Sequence, residues 1–225
     1  DKFIGPIEPL EQGKVYSIDA ELESYCIEKK NQEPIKGAAP CFISYRPESK
    51  TVYTANYTSG SVSVFKTSDN GALLPIAQEI NYNGSSIHKA RQEASHAQNV
   101  VLTPNHEQLL VTDLGGDKIY MHKIYASGLL DEKYTSVSIT PGNGPRHFVF
   151  NKQNTRGYLI NELSGTVDVF AILPNALEKI QTIAISYEPV GKPSVEPISP
   201  CGMCRQSLLD YENRFQSPIK IIMAG

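Results

Sequence analysis

The chain has 225 residues, with 21 Lys and Arg against 24 Asp and Glu, a formal net charge of −3 and a hydrophobic fraction of 40%. That length can bury a sizeable core in one large domain or two small ones, and the composition excludes a disordered chain. The charge balance gives no electrostatic case for nucleic acid or an anionic membrane. No apolar run reaches membrane-spanning length, and nothing in Asp1 to Leu10 reads as a signal peptide. Four cysteines (Cys26, Cys41, Cys201, Cys204) make a poor disulfide framework for this length, and two of them form C-x-x-C, so a reducing, cytoplasmic compartment is expected.

In chain order, Gly13 to Asp19 reads as a strand left over from a repeating unit. Three segments then align: Thr54 to Phe65, Val111 to His122 and Leu159 to Phe170. Each is a strand end, a polar Asn or Asp turn, a Gly, then an alternating strand. A further strand precedes each one, at Phe42 to Arg46, Asn99 to Thr103 and His147 to Phe150. Tight turns such as Pro47-Glu48-Ser49-Lys50 and Pro104-Asn105-His106-Glu107 make the link. Asn56 to Asp113 is 57 positions and Asp113 to Asn161 is 48. Short strands at a period near 50 predict propeller blades, because a plain sandwich does not need its turn residues to recur in register. The fold class expected is mainly β: a partial β-propeller of three blades and a remnant over residues 1–180.

After Leu177 to Ile185 the pattern changes. Gln181 to Tyr187 is an apolar strand, and Glu188 to Pro197 is a loop rich in Pro, Gly and Ser. Pro200 to about Phe215 predicts a helix, with Ser199 as N-cap and Pro200 at its first position. Ile219 to Met223 is a strand, so residues 181–225 are expected to form a β-α-β segment with a parallel pair. The spacing of Gly142 and Gly144 marks a turn rather than a dinucleotide loop, because no third Gly and no helix pattern follow.

Polar residues collect at the connections between blades: His88, Arg91, Gln92, His96, Gln98, Arg146, His147 and Glu162. They lie within five ordered motifs. These are Ala55-Asn56-Tyr57 with Ser59-Gly60-Ser61-Val62; Arg91-Gln92 with Ser95-His96-Ala97; Asp113-Leu114-Gly115 with Asp117; Pro141 to His147; and Asn161-Glu162-Leu163. The ordered set resembles the lactonase family of seven-bladed propellers, which includes 6-phosphogluconolactonases and carboxy-muconate lactonizing enzymes. The resemblance implies hydrolysis of a small-molecule sugar-acid lactone such as 6-phosphogluconolactone, with no required metal. It implies His96, Arg146 and Glu162 as catalytic residues, with Arg91, Gln92 and His147 lining the substrate pocket. Lactone opening needs an activated water and a stabilised oxyanion. His96 and Glu162 have the chemistry of base or acid, and Arg146 that of a bidentate anion clamp. On the residues alone, Arg146 and Glu162 read equally well as a structural ion pair, and Gln92 and His147 read as core positions. Gln98 stands where the family often has a second histidine, and a further family arginine finds no counterpart.

The segment Pro200-Cys201-Gly202-Met203-Cys204-Arg205-Gln206 resembles the zinc-binding half of cytidine deaminases. It implies Cys201 and Cys204 as zinc ligands, three apart at a helix start where thiolates are favoured. Cys26-Ile27-Glu28 has the letters of the missing C-x-E half but lies in the propeller part. The chain thus reads as a lactonase-like piece joined to a deaminase-like piece. The alternatives to a lactonase are a zinc-dependent deaminase and a non-enzymatic propeller that binds partners on its blades.

Overall fold

The computed structural model describes residues 2–7, 14–21, 26–173 and 176–184. They build four antiparallel sheets. The first has three strands, β1 (Lys2–Ile7), β2 (Lys14–Glu21) and β3 (Cys26–Pro34). Three four-stranded blades follow. Blade one is β4 (Pro40–Arg46), β5 (Thr51–Asn56), β6 (Ser61–Lys66) and β7 (Gln78–Asn81). Blade two is β8 (Ala97–Leu102), β9 (Gln108–Asp113), β10 (Lys118–Ile124) and β11 (Leu130–Ser138). Blade three is β12 (Pro145–Phe150), β13 (Arg156–Asn161), β14 (Thr166–Leu173) and β15 (Ala176–Ala184).

Each blade is a meander, and the first strands β4, β8 and β12 lie side by side at the inner end. Cross-blade bonds tie them: Ser44 Oγ donates to Val100 O at 2.6 Å, and Phe148 N donates to Asn99 Oδ1 at 3.1 Å. The second strands carry residues buried on both faces, because side chains alternate and each face meets a neighbouring blade. Tyr53, Val64, Leu109 and Val111 pack between blades one and two. Leu110, Ile119, Phe148, Leu159 and Phe170 pack between blades two and three. Val15, Ile35, Val52, Phe65 and Leu73 join the N-terminal sheet to blade one. Each fully buried side chain of this kind contributes ~1.5–3 kcal/mol.

The three recurring turns are where the sequence pattern places them, at the ends of β5, β9 and β13. Their Asn residues act as local staples. Asn56 Nδ2 donates to Ser61 and Ser63 Oγ, and Asn161 Nδ2 donates to Thr166 Oγ1 and Asp168 Oδ2. The expected remnant proves larger, since Lys14–Glu21 pairs on both sides. The start of the strand expected from Gln181 is present. Through Ala184 it is the end of β15, antiparallel to β14. Only two residues separate β14 from β15, a link short enough for an antiparallel hairpin. The expected boundary at 180 therefore falls inside a blade strand. The predicted helix at 200–215, Cys201, Cys204 and the strand at 219–223 lie outside the described residues.

Candidate active site

The site is assembled from repeat-equivalent positions. In every blade the first strand begins with a β-bulge, where one extra residue interrupts the register with the second strand. The extra residues are Cys41, Gln98 and Arg146. A bulge twists a strand locally and re-aims a side chain. Two positions before each bulge, the carbonyls of Ala39, His96 and Gly144 accept from the N–H groups of Tyr57, Leu114 and Glu162. Those three follow Asn56, Asp113 and Asn161 directly. One backbone pattern, repeated, thus presents Gln98 and Arg146 from bulges, and Tyr57 and Glu162 from turns.

These side chains meet at Glu162. Arg91 Nη2 lies 2.6 Å from Glu162 Oε1, and Arg146 Nε lies 3.2 Å from Oε2. Gln98 Nε2 donates to Oε2 at 3.3 Å. Arg146 Nε is buried and within ion-pair distance, yet its direction forms no hydrogen bond. The Arg146 side chain is 34% exposed and that of Glu162 is 17% exposed. The Tyr57 hydroxyl, then the Glu162 carboxylate, raise the Arg91 guanidinium above its ordinary value. Two guanidinium groups around one carboxylate leave one positive charge in excess.

His96 stands beside this trio. Its ring stacks on Tyr57, with centroids 4.4 Å apart and planes at 12°. Its Nδ1 lies 3.1 Å from Tyr57 O, a carbonyl that can only accept, so Nδ1 carries the proton and donates. Its Nε2 lies 3.3 Å from Glu93 Oε1. The Glu93 carboxyl sits below its ordinary value, first through its own backbone N–H. Arg91, Glu93 and His96 all come from the connection between β7 and β8, which presses against two turns. A Cβ on Gly60 would overlap the Ser95 carbonyl, and one on Gly115 would overlap the Ala94 carbonyl.

A buried carboxylate holds the two loops together. Asp117 accepts from Gly144 N at 2.8 Å, Gly142 N at 2.6 Å and Gln92 Nε2 at 2.7 Å. Gly142 and Gly144 have φ of 87° and 66°, the left-handed region where glycine is at ease. Through Gln92 the same carboxylate fixes the loop that carries Arg91 and His96.

The expected site residues therefore divide. His96, Arg146, Glu162 and Arg91 come together. Gln92 sits in the loop that carries Arg91 and His96. It is fully buried, donates to Leu114 O and Asp117, and accepts from His88 N, so its amide is used in holding the loop. His147 is half-buried and meets Phe42 edge-on at 5.2 Å. Tyr57, Glu93 and Gln98 are additional members. Tyr57 aligns with Glu162 in the repeat, directly after the turn asparagine, and that register was the available signal. Among the described residues no group of three His, Cys, Asp or Glu is placed to hold a metal ion.

Residues 6–194 match the family described as a lactonase, 7-bladed beta-propeller. This chain belongs to that lactonase family. It is 35% identical to the 6-phosphogluconolactonase of Bacillus subtilis over 175 residues, covering 77% of this chain and 49% of the relative. The Pseudomonas aeruginosa periplasmic gluconolactonase superposes with a TM-score of 0.73 at 29% identity, covering 82% of this chain and 52% of that one. A Bacteroides fragilis structure gives a TM-score of 0.75 at 32% identity, with coverages of 83% and 54%. The chain spans about half the length of the curated relatives it matches. The match also runs through 182–194, the opening part of the segment read as deaminase-like.

Proposed function

We propose that this lactonase chain hydrolyses a sugar-acid lactone that carries an anionic group, with 6-phosphogluconolactone as the substrate. The observation that carries the reading is the convergence of Arg91 and Arg146 on Glu162 beside a histidine with one fixed tautomer. Membership of the family and the 6-phosphogluconolactonase relative support the same choice.

The chemistry divides among the residues as follows. The Tyr57 carbonyl holds the proton on His96 Nδ1, which leaves Nε2 to take a proton from water as its oxygen attacks the lactone carbonyl. The carbonyl oxygen gains charge, and Arg146 is a partly exposed cation suited to receive it. The bond from the carbonyl carbon to the ring oxygen then breaks, and that oxygen takes the proton back from His96. Arg91 is suited to the substrate phosphate, which a guanidinium binds through two parallel hydrogen bonds. Glu162 accepts from Arg91 and Gln98 and pairs in charge with Arg146, which makes it the anchor of the arginines rather than a base. No step draws on a metal. A cytoplasmic setting rests on the cysteine pattern.

The test is hydrolysis of 6-phosphogluconolactone by the 225-residue chain and by Arg146→Ala. Activity that is lost in the variant supports the reading, as does a higher KM for the unphosphorylated lactone. A folded chain without lactone hydrolysis overturns it. Cys201 and Cys204 lie beyond the family match and keep a separate zinc proposal, since two thiolates supply half of a tetrahedral site. About one zinc per chain, lost in Cys201→Ser, would support it.

A further inference from the structure

We propose that Glu93 positions His96 and exchanges protons between its buried ring and solvent; this rests on the lactonase reading for its role in turnover. The His96 side chain is 8% exposed, whereas that of Glu93, three residues earlier, is 57% exposed. One face of the ring is covered by Tyr57, and Nδ1 is committed to the Tyr57 carbonyl. Only Nε2 is left for chemistry, and Glu93 Oε1 is the carboxylate oxygen beside it.

The other charged groups around the ring are engaged elsewhere. Asp113 accepts from His96 N and from the Tyr120 hydroxyl. Arg91 is bound to Glu162 and to the Tyr57 hydroxyl. Ring opening yields a carboxylic acid that must lose its proton inside the site. That proton passes to His96 Nε2, leaving the product carboxylate. The imidazolium then gives it to Glu93, which returns it to water as a neutral carboxyl losing a proton. Each transfer moves one proton, and the imidazole and the carboxylate end as they began.

Glu93→Gln keeps the size and the loop but cannot carry a proton. In dilute buffer its kcat on 6-phosphogluconolactone is expected to fall about tenfold with KM unchanged, a fraction of what an acid–base group contributes. Imidazole added as buffer is expected to restore the rate, and Glu93→Asp to retain part of it. The second readout needs no turnover: proton exchange between His96 Nε2 and water, followed by NMR, slows in Glu93→Gln. Wild-type kcat and wild-type exchange in Glu93→Gln would overturn the proposal. So would a lower kcat that buffer does not restore with exchange unchanged, because a purely structural role predicts that pair. If the wild-type chain hydrolyses no lactone but exchange still slows in Glu93→Gln, the lactonase reading fails and the proton link between Glu93 and His96 stands.

Discussion

His96 and His122 each contact a tyrosine across the seam between blades one and two, but their surroundings differ. His122 is fully buried. Its Nε2 lies 2.7 Å from the Tyr82 hydroxyl and its Nδ1 lies 2.8 Å from Asp131 O, so both nitrogens are satisfied by neutral partners. Tyr82 stacks on Tyr120 at 4.2 Å, and Tyr134 meets the cluster edge-on. Burial pushes the His122 imidazole below its ordinary value and the Tyr82 phenol well above its own. His96 has one nitrogen committed and the other beside a solvent-exposed carboxylate. The same pair of residue types thus serves as scaffold where every polar atom is closed off, and in the proposed reaction as chemistry where one is left open.

Exchanging each histidine separates the two roles. His96→Asn is expected to lower kcat by roughly 10²–10⁴-fold, the range for loss of a general acid–base group, with the melting temperature little changed. His122→Phe is expected to do the reverse: it orphans the Tyr82 hydroxyl and costs about 1–3 kcal/mol in denaturant unfolding, while kcat stays near wild type. Gln92→Ala is also expected to cost about 1–3 kcal/mol, because Asp117 loses a buried donor. If Gln92 lined the pocket instead, KM would rise with stability intact.

Acid provides a smaller test. The folded value of His122 lies below its ordinary 6.5, so the unfolded chain takes up the proton first as pH falls. The stability linked to His122 is therefore complete above 6.5, declines below it, and is gone once the pH passes the folded value. In His122→Phe this part of the acid dependence should vanish from the unfolding profile. An unchanged slope below 6.5 would show that His122 is not closed off as described.

The same contrast explains what could be read from the chain. The second and third strands of each blade were legible, because Val62, Val64, Leu109 and Val111 alternate on buried faces. The fourth strands were not. β7 has four residues, and β11 is mostly exposed and charged, as suits an outer edge. Arg91, His96, Arg146 and Glu162 stood out as residue types in ordered motifs. The bulges at Gln98 and Arg146 left no local mark, since an extra residue shows only against its partner strand. Tyr57 acts through a backbone carbonyl and a ring face, and Glu93 looks like any exposed loop acid. Gln92 reads on its residues as a core position, and its amide is held by Asp117.

The central claim is that Glu162 organises the two arginines and leaves proton transfer to His96. The direct measurement is the pH dependence of kcat and KM for 6-phosphogluconolactone in Glu162→Gln. The glutamine still accepts from Arg91 but loses the charge that holds both arginines. The account predicts a raised KM, a partly retained kcat, and a pH profile of unchanged shape. A collapsed kcat at unchanged KM, with one limb of the profile missing, would contradict it and make Glu162 the acid or base.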